Sequence, residues 1–497
     1  MKYDVLIIGA GSTGASLARR LSRFQLKVAM LEKENDVAMG TGKANTAIVH
    51  GGYAESGKEL RGRLCLPGRK KLEKLNDELH FGLRTNGSLV LAFEEEELPA
   101  LKQLYQQGLE NGLTDMELVG REKLRELEPA VHPDAKYALY CSGAGILSPY
   151  EYIIALCENA VYNGVRLFLN TEVTGIMGDR DQGFQIQALQ GGKKVAFESS
   201  FVVNAAGLAG AGVTNMVQEA DFTIHPRSGQ FLLFQKGTGS RIHHSLFQVP
   251  TPKSKGILVA QTYHNNMLLG PDAVDEKEAR WDTDIDRLLA IYHGAQRSVQ
   301  KGIIPEKQLI RTFTGLRPVS SMGDFIIGKT RVLGFLQAVG IQSPGLTSSP
   351  VIGEMLEDLL REEGLEAKED PHYNPIRKPI IQYKELEDFN KIRDRLDLPL
   401  GDPHRIVCRC EQVDEKTIRD CLHRSVAPTT IDGVKRRTRT GMGFCQGSFC
   451  RKRVQEVMEA ELGHAIDPRF DIEVKGIHRV EKKEFLATLE EEKASDR

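Results

Sequence analysis

The sequence predicts an α/β protein. A Rossmann-like nucleotide-binding domain is interrupted by a second domain built on an antiparallel sheet, and a small helical cysteine-bearing module follows at the C-terminus. Three observations predict this. The chain opens on a β-α-β pattern, strand-like segments return at Phe201–Gly207 and Gly334–Gly340, and four of the eight cysteines gather between Cys408 and Cys450.

The apolar run Tyr3–Ile8 leads into Gly9-Ala-Gly11-Ser-Thr-Gly14, a helix expected over Ala15–Phe24, and a strand from Lys27 to Leu31 ending at Glu32. Glycines at this spacing permit a tight turn and close approach to a pyrophosphate on the helix N-terminus, while the acid suits ribose hydroxyls. This motif alone does not separate NAD from FAD. Glu94–Glu128 reads as charged and helical, with Glu94–Glu97 a solvated helix start. From Phe222 to Leu269 alternating segments predict an antiparallel sheet. Phe201–Gly207 and Gly334–Gly340 read as strands returning to the first sheet, and Ser343–Ser349 opens a helix reaching Leu360. Residues 361–402 turn polar and proline-containing, as in a linker that wraps rather than packs. The stretch after Lys475 reads as a solvated helical tail. The resulting organisation is 1–80, 145–220 and 325–365 for the nucleotide domain, 81–144 and 221–324 for a substrate domain, 366–403 for the linker, 404–465 for the cysteine module and 466–497 for the tail.

The 497 residues suggest two to four domains, and the formal net charge of −2 with dispersed Lys and Arg argues against nucleic acid. No apolar run approaches the ~18–20 residues of a membrane span. The strand at Tyr3 leaves no room for a signal peptide, so a cytoplasmic, thiol-preserving compartment is expected.

Cys408 and Cys410 form C-x-C, and Cys445 and Cys450 form C-x4-C. Four thiolates are the number a [2Fe–2S] cluster needs, with zinc as the alternative occupant. Cys421 lies in a helical stretch and reads as packing, as do Cys65, Cys141 and Cys157. Arg436, Arg437 and Arg439 would moderate cluster charge or mark a docking face.

The segment Gly42–Tyr53 matches N-[ST]-x-x-[IV]-H-[AG]-G through Asn45, Thr46, Val49, His50, Gly51 and Gly52. With Val203–Gly207, Gly315-Leu-Arg-Pro318 and Gly340–Ser349, it resembles the D-amino-acid-oxidase-like FAD oxidoreductases. The nearest branches are those of glycerol-3-phosphate dehydrogenase and L-2-hydroxyglutarate dehydrogenase. Arg409-Cys-Glu411 and Thr440–Gly447 resemble the bacterioferritin-associated-ferredoxin type of [2Fe–2S] domain. The resemblance implies an FAD-binding domain with contacts from Gly9, Gly11, Gly14, Glu32, Lys33, Asn45, Thr46, Gly51, Val173, Ala206, Gly207, Gly340, Ile341, Gly345, Leu346 and Thr347. It places His50 beside the flavin, as a base or substrate-polarising group, a covalent attachment point or a structural hydrogen-bonding residue. Arg317 is the candidate anchor for an anionic substrate, with Arg311, Arg61 or Arg63 as a second cation. The implied activity is hydride removal from a small anionic secondary alcohol, foremost sn-glycerol 3-phosphate, with relay through the cluster. L-2-hydroxyglutarate, an amine or amino acid, and a non-catalytic electron-transfer or assembly subunit are the alternatives. A hetero-oligomer is expected, its partner a pyridine-nucleotide flavoprotein or a quinone-reducing subunit that would hold the chain at the inner membrane.

Overall fold

The N-terminal apolar run becomes the centre of a sheet. The computed structural model describes residues 2–250, 256–381 and 384–495. In it the strand Lys2–Ile8 lies parallel to both Val28–Leu31 and Lys193–Asn204. Arg166–Phe168 extends the array on one side and Phe335–Val339 joins the C-terminal end of Lys193–Asn204, both in parallel. The strand Lys193–Asn204 is long because it serves two arrangements. Its first half closes an antiparallel meander with Thr171–Met177 and Phe184–Gln190, and its second half completes the parallel array. A parallel array must be covered on both faces, which is why Val5–Ile8 and Val28–Leu31 are almost wholly apolar. The helices Ser12–Leu21, Pro149–Tyr162 and Gly345–Glu362 pack together with one face, while Val173, Ile176, Phe184 and Ile186 of the meander share a core with Tyr3, Leu6 and Ile8 on the other. The first helix begins at Ser12, not Ala15 as expected. A Cβ at Gly14 would collide with the Gly9 carbonyl oxygen, so the helix can start directly on the turn.

Among the described residues the second sheet has nine strands. Ile224–Lys236 and Leu309–Ser320 pair antiparallel along most of their length, and the sheet continues through Asn266–Leu269, Val259–Gln261 and Ser245–Gln248. It then passes to Ser88–Ala92, Tyr137–Cys141 and Met116–Gly120. The junction of Ser245–Gln248 with Ser88–Ala92 is parallel, where the two chain segments of this layer meet; the other pairings are antiparallel. The Glu94–Glu128 region is not helical throughout, because Met116–Gly120 is an edge strand between the helices Leu98–Glu110 and Arg121–Leu127. Pairing with Tyr137–Cys141 overrides local propensity there. Residues 251–255, within the predicted antiparallel region, lie outside the described residues.

The linker and the tail both depart from expectation. The 366–381 stretch packs as well as wraps: Gln25 donates to the Lys368 carbonyl, and Arg377 is buried against Glu158 at 2.5 Å and the Leu79 carbonyl at 3.0 Å. The tail helix Lys482–Ser495 is not merely solvated. Val480, Phe485 and Leu489 are buried in the core of the second sheet with Leu288 and Tyr292; residues 496–497 lie outside the described residues. Burying a side chain such as Phe485 contributes about 2–3 kcal/mol, so this tail fastens the end of the chain to the substrate layer.

Between these attachments the cysteine module folds around its own core. A hairpin of Ile406–Cys408 and Val413–Asp414 precedes the helices Glu415–Leu422, Ile431–Thr438 and Arg451–Leu462. Val407, Ile418, Val434, Val454 and Met458 fill the space between them. The module is docked on both other layers rather than tethered by a free linker.

Candidate flavin cavity and cysteine centre

A cavity of about 450 Å³ runs from Ser12, at the start of the first helix, past Thr41–Ile48 to His50 and Arg317. The turn at its head fits a pyrophosphate. Gly9 has φ +107°, and a Cβ there would stand 2.5 Å from the Ala205 carbonyl oxygen, while nothing lies within 4 Å of the Cβ position at Gly11. Ala206 and Gly207 follow directly on Ala205 and flank this turn. Glu32 accepts from the N–H groups of Ala10 at 2.8 Å and Glu34 at 3.0 Å, which fixes its carboxylate at the end of the second strand. Burial nevertheless raises its pKa, a cost that ribose hydroxyl donors would offset. Lys33 is exposed. The side chain of Val173 is buried in the meander core, leaving its backbone as the part able to meet a ligand.

Farther along, Asn45 holds its own turn, donating to the carbonyls of Thr41 and Gly42 and accepting from Ala47 N–H at 2.7 Å. Thr46, His50, Ile341, Gly345 and Leu346 line the cavity. Gly51 faces away from it, against Cys141 and Tyr53. The buried Thr347 hydroxyl accepts from His50 N–H at 3.1 Å and donates to the Ile48 carbonyl at 3.3 Å. This ties the late Gly340–Thr347 loop to the early His50 strand. Ser343 Oγ lies 3.1 Å from His50 Nε2 and orients the ring. Ser343 was not singled out from the sequence, where a serine nearly 300 residues away carries no signal of that contact.

Arg317 reaches the cavity from the strand Leu309–Ser320, directly opposite Arg227 in the register. Burial and the neighbouring Arg227 guanidinium push Arg317 down to about 10. It donates to the Asp272 carbonyl at 3.2 Å, and among the described residues it has no carboxylate partner. Arg227 is held bidentately by Asp275 at 2.6 and 3.0 Å. Gly229 makes room, since a Cβ there would stand 2.8 Å from Arg317 Nη2. The second-cation candidates divide accordingly. Arg61 lines the cavity with Glu55 and Glu59 at 3.2 and 2.6 Å, Arg63 is exposed, and Arg311 lies outside. Arg311 shares the face of Arg317, but six residues is roughly 20 Å of strand; it meets Gln446 of the cysteine module at 3.4 Å instead. Arg227 is the cation the sequence reading missed, because only the strand register reveals it.

At the other centre the sulfurs meet in pairs. Cys410 and Cys445 approach to 3.4 Å, and Cys408 hydrogen-bonds Cys450. The bond from Cys450, opposed by burial and helped by the N–H groups of Gly441 and Glu411, brings Cys408 down to about 7, toward the thiolate that metal ligation requires. Among the described residues no three His, Cys, Asp or Glu side chains are gathered for a single ion. Paired thiolates suit two irons with two sulfurs each better than one tetrahedral zinc. Gly443 is packed on Cys410, where any Cβ would collide. Cys421 is buried, and burial pushes its thiol up to about 12.

Arg436, Arg437 and Arg439 do not form a docking face. Arg437 holds both oxygens of Asp36 at 2.8 and 2.9 Å, Arg436 adds 2.9 Å to Asp36 and 3.0 Å to Asp471, and Arg439 pairs with Glu411 at 2.9 Å. Burial works to raise the Asp36 pKa, but the two guanidinium groups outweigh it and hold the carboxyl far below its ordinary range. The Asp36 pairs fasten the module to the nucleotide domain, and Arg439–Glu411 lies within the module.

Residues 4–359 match the FAD dependent oxidoreductase family, and residues 406–460 match the BFD-like [2Fe-2S] binding domain. The chain is 41% identical to a glycerol 3-phosphate dehydrogenase of Caloramator mitchellensis over 93% of its own length and 95% of that protein's. It is 29% identical to a glycerol 3-phosphate oxidase of Mycoplasma genitalium, over 75% of this chain and 97% of that one. Among solved structures, the dithionite-reduced L-alpha-glycerophosphate oxidase of Mycoplasma pneumoniae with FAD bound superposes with a TM-score of 0.71 at 28% identity, covering 76% of this chain and 98% of the other.

Proposed function

The chain belongs to the family of FAD-dependent oxidoreductases, and on that premise we propose that it is a dehydrogenase of sn-glycerol 3-phosphate. It oxidises the C2 alcohol to dihydroxyacetone phosphate and passes the electrons through a [2Fe–2S] cluster to a partner protein. The observation that carries the reading is Arg317, a half-buried guanidinium without a carboxylate partner, facing the second cation Arg227 in the cavity that holds His50. Arg227 opposes the charge on Arg317 despite its own pairing with Asp275, and an anion between the two guanidinium groups relieves that repulsion. A phosphate dianion does so better than a single carboxylate.

FAD, held by the Gly9–Gly14 turn, Glu32 and the Thr41–Ile48 and Gly340–Thr347 loops, supplies the hydride acceptor. The residues of the chain supply the rest. Arg317 anchors the phosphate and thereby fixes which carbon faces the acceptor. His50, oriented by Ser343 at 3.1 Å and through its backbone by Thr347, takes the hydroxyl proton. Phe231 and Phe247 wall the cavity and keep water from the reacting carbon. Cys408, Cys410, Cys445 and Cys450 hold the cluster.

Among the described residues no helix is long and apolar enough to cross a membrane. A quinone acceptor would therefore require a separate membrane subunit, and a pyridine-nucleotide flavoprotein is the other class of partner. Relatives named L-2-hydroxyglutarate dehydrogenase, at 28% identity and below over 55% of the chain, set the competing substrate. Anaerobic addition of glycerol 3-phosphate should bleach the flavin absorbance. Bleaching by L-2-hydroxyglutarate alone would overturn the substrate assignment, and bleaching by neither would overturn the dehydrogenase reading.

A further inference from the structure

The buried guanidinium groups of the cysteine module are covered by carboxylates, and the arrangement changes at one edge. Arg437, Arg436 and Arg439 are paired as described, and Arg405 sits between Glu415 and Glu456 at 3.1 and 3.3 Å. The exception surrounds Cys445, the ligand cysteine that is only half-buried while Cys408, Cys410 and Cys450 are buried. Its neighbour Phe444 keeps 55% of its surface exposed. The Arg409 guanidinium carbon lies 6.0 Å from the Phe444 ring centre and 4.7 Å from that of Phe449. Among the described residues Arg409 has no carboxylate partner, and its buried Nε has no hydrogen-bond acceptor.

The helix Arg451–Leu462 begins directly after Cys450 with Arg451, Lys452 and Arg453, and has no acid in its first turn. Cations at a helix N-terminus oppose the macrodipole, so helix stability does not account for them. Local pairing accounts for Arg451, held by Glu473 at 3.1 Å, and for Arg453, which donates to the Leu396 carbonyl and lies 5.1 Å from the Phe449 ring. It does not account for Lys452, which is exposed to solvent. An exposed aromatic ring beside an unpaired guanidinium is the composition of an interface hot spot, and a lysine at its rim adds steering of an opposite charge.

We propose that Phe444, Arg409 and Lys452 form the docking surface for a one-electron acceptor protein whose redox centre is ringed by acidic residues. The proposal rests on the reading that electrons leave through the cysteine centre. Phe444 fills the apolar centre of the contact, Arg409 binds a partner carboxylate, and Lys452 speeds encounter. Oxidation of one substrate molecule releases two electrons and two protons. The centre passes electrons singly, so two acceptor haems or equivalent one-electron groups are reduced per substrate, and the protons leave to solvent.

The test uses the full-length holoenzyme with two soluble haem proteins of opposite charge: cytochrome b5, which is acidic, and cytochrome c, which is basic. Flavin bleaching by glycerol 3-phosphate is followed separately, so a failed substrate assignment shows itself there and not in the docking result. Wild-type protein should bind and reduce cytochrome b5, with both activities falling steeply as salt is raised. Phe444→Ala and Lys452→Glu should each weaken cytochrome b5 binding and reduction by about tenfold, leave the bleaching rate and the visible cluster spectrum unchanged, and Lys452→Glu should improve cytochrome c reduction. Arg409→Gln should act like Phe444→Ala, and the other two variants keep the test decisive if that change disturbs the cluster. The proposal is overturned by equal reduction of both cytochromes, by salt-independent reduction, or by variants that leave cytochrome b5 binding intact. It is equally overturned if the two exposed-residue variants weaken binding only to anionic phospholipid vesicles, or only dissociate a homodimer.

Discussion

The two redox regions of this chain are built in opposite ways. The cysteine centre is local: its four cysteines span Cys408 to Cys450 and rest on one small core. The flavin cavity is assembled from distant pieces, with Ser12, His50, Arg227, Arg317 and Gly345 brought together by two sheets. Charge is also handled differently. At the cavity a half-buried cation is left without a carboxylate partner, whereas the buried guanidinium groups of the cysteine module are covered by Asp36, Glu411 and Asp471. The contrast teaches where each region acts. An uncovered cation inside a cavity awaits a small anion, and covered cations at a domain boundary serve as fasteners.

The relatives divide along the same line. The Mycoplasma genitalium protein named an oxidase matches 75% of this chain and nearly all of itself, while the Caloramator mitchellensis protein named a dehydrogenase matches 93% of it.

Separating the regions chemically gives the largest expected effect. Cys445→Ser should abolish reduction of a protein acceptor, by 100-fold or more, while the flavin still bleaches with substrate at the wild-type rate; loss of bleaching as well would show the two regions to be one site. Next comes the fastening. Asp36→Asn leaves Arg437 buried without a carboxylate and Arg436 with Asp471 alone, and removing one partner of such a pair costs about 3–5 kcal/mol, read as a fall in the melting temperature. The pH dependence has a definite sign. The folded pKa of Asp36 lies far below the unfolded value of about 3.9, so its contribution is complete above that value and declines as pH falls from there toward the folded pKa. Melting curves of wild type and Asp36→Asn should therefore converge below about pH 4; a constant gap would deny the ion pair its role.

Arg317→Ala tests the uncovered cation. A lost charge-assisted contact to phosphate should cost about 2–4 kcal/mol, roughly 30- to 1000-fold in kcat/KM, with melting temperature and cluster spectrum unchanged. Unaltered kinetics would remove the anion site from this strand. The smallest effect belongs to Ser343→Ala, which frees the His50 ring from one hydrogen bond worth about 1 kcal/mol. A several-fold fall in kcat with KM preserved is expected; a change confined to KM would make Ser343 a substrate contact instead.

How much of this was legible in the sequence follows the same contrast. The glycine turn, Glu32 and the four cysteines stand out because their chemistry depends on residues close in sequence. His50 and Arg317 were found through the motifs around them. Arg227 and Ser343 were not, since each acquires its place only when strand register or a loop of late residues brings it to its partner. The tail was misread for a related reason. Phe485 and Leu489 sit among lysines and glutamates that suggest a solvated helix, and only the second sheet supplies the surface they cover. Arg436 and Arg437 looked free because Asp36, the partner they share, lies 400 residues earlier.

The central claim is that electrons enter at the flavin cavity and leave through the paired thiolates. Freeze-quenched electron paramagnetic resonance after anaerobic mixing with glycerol 3-phosphate tests it most directly. The account predicts flavin bleaching followed by the signal of a reduced [2Fe–2S] cluster in the same molecules. Bleaching with no cluster signal at any time, or a metal site that stays diamagnetic and contains zinc, would contradict it.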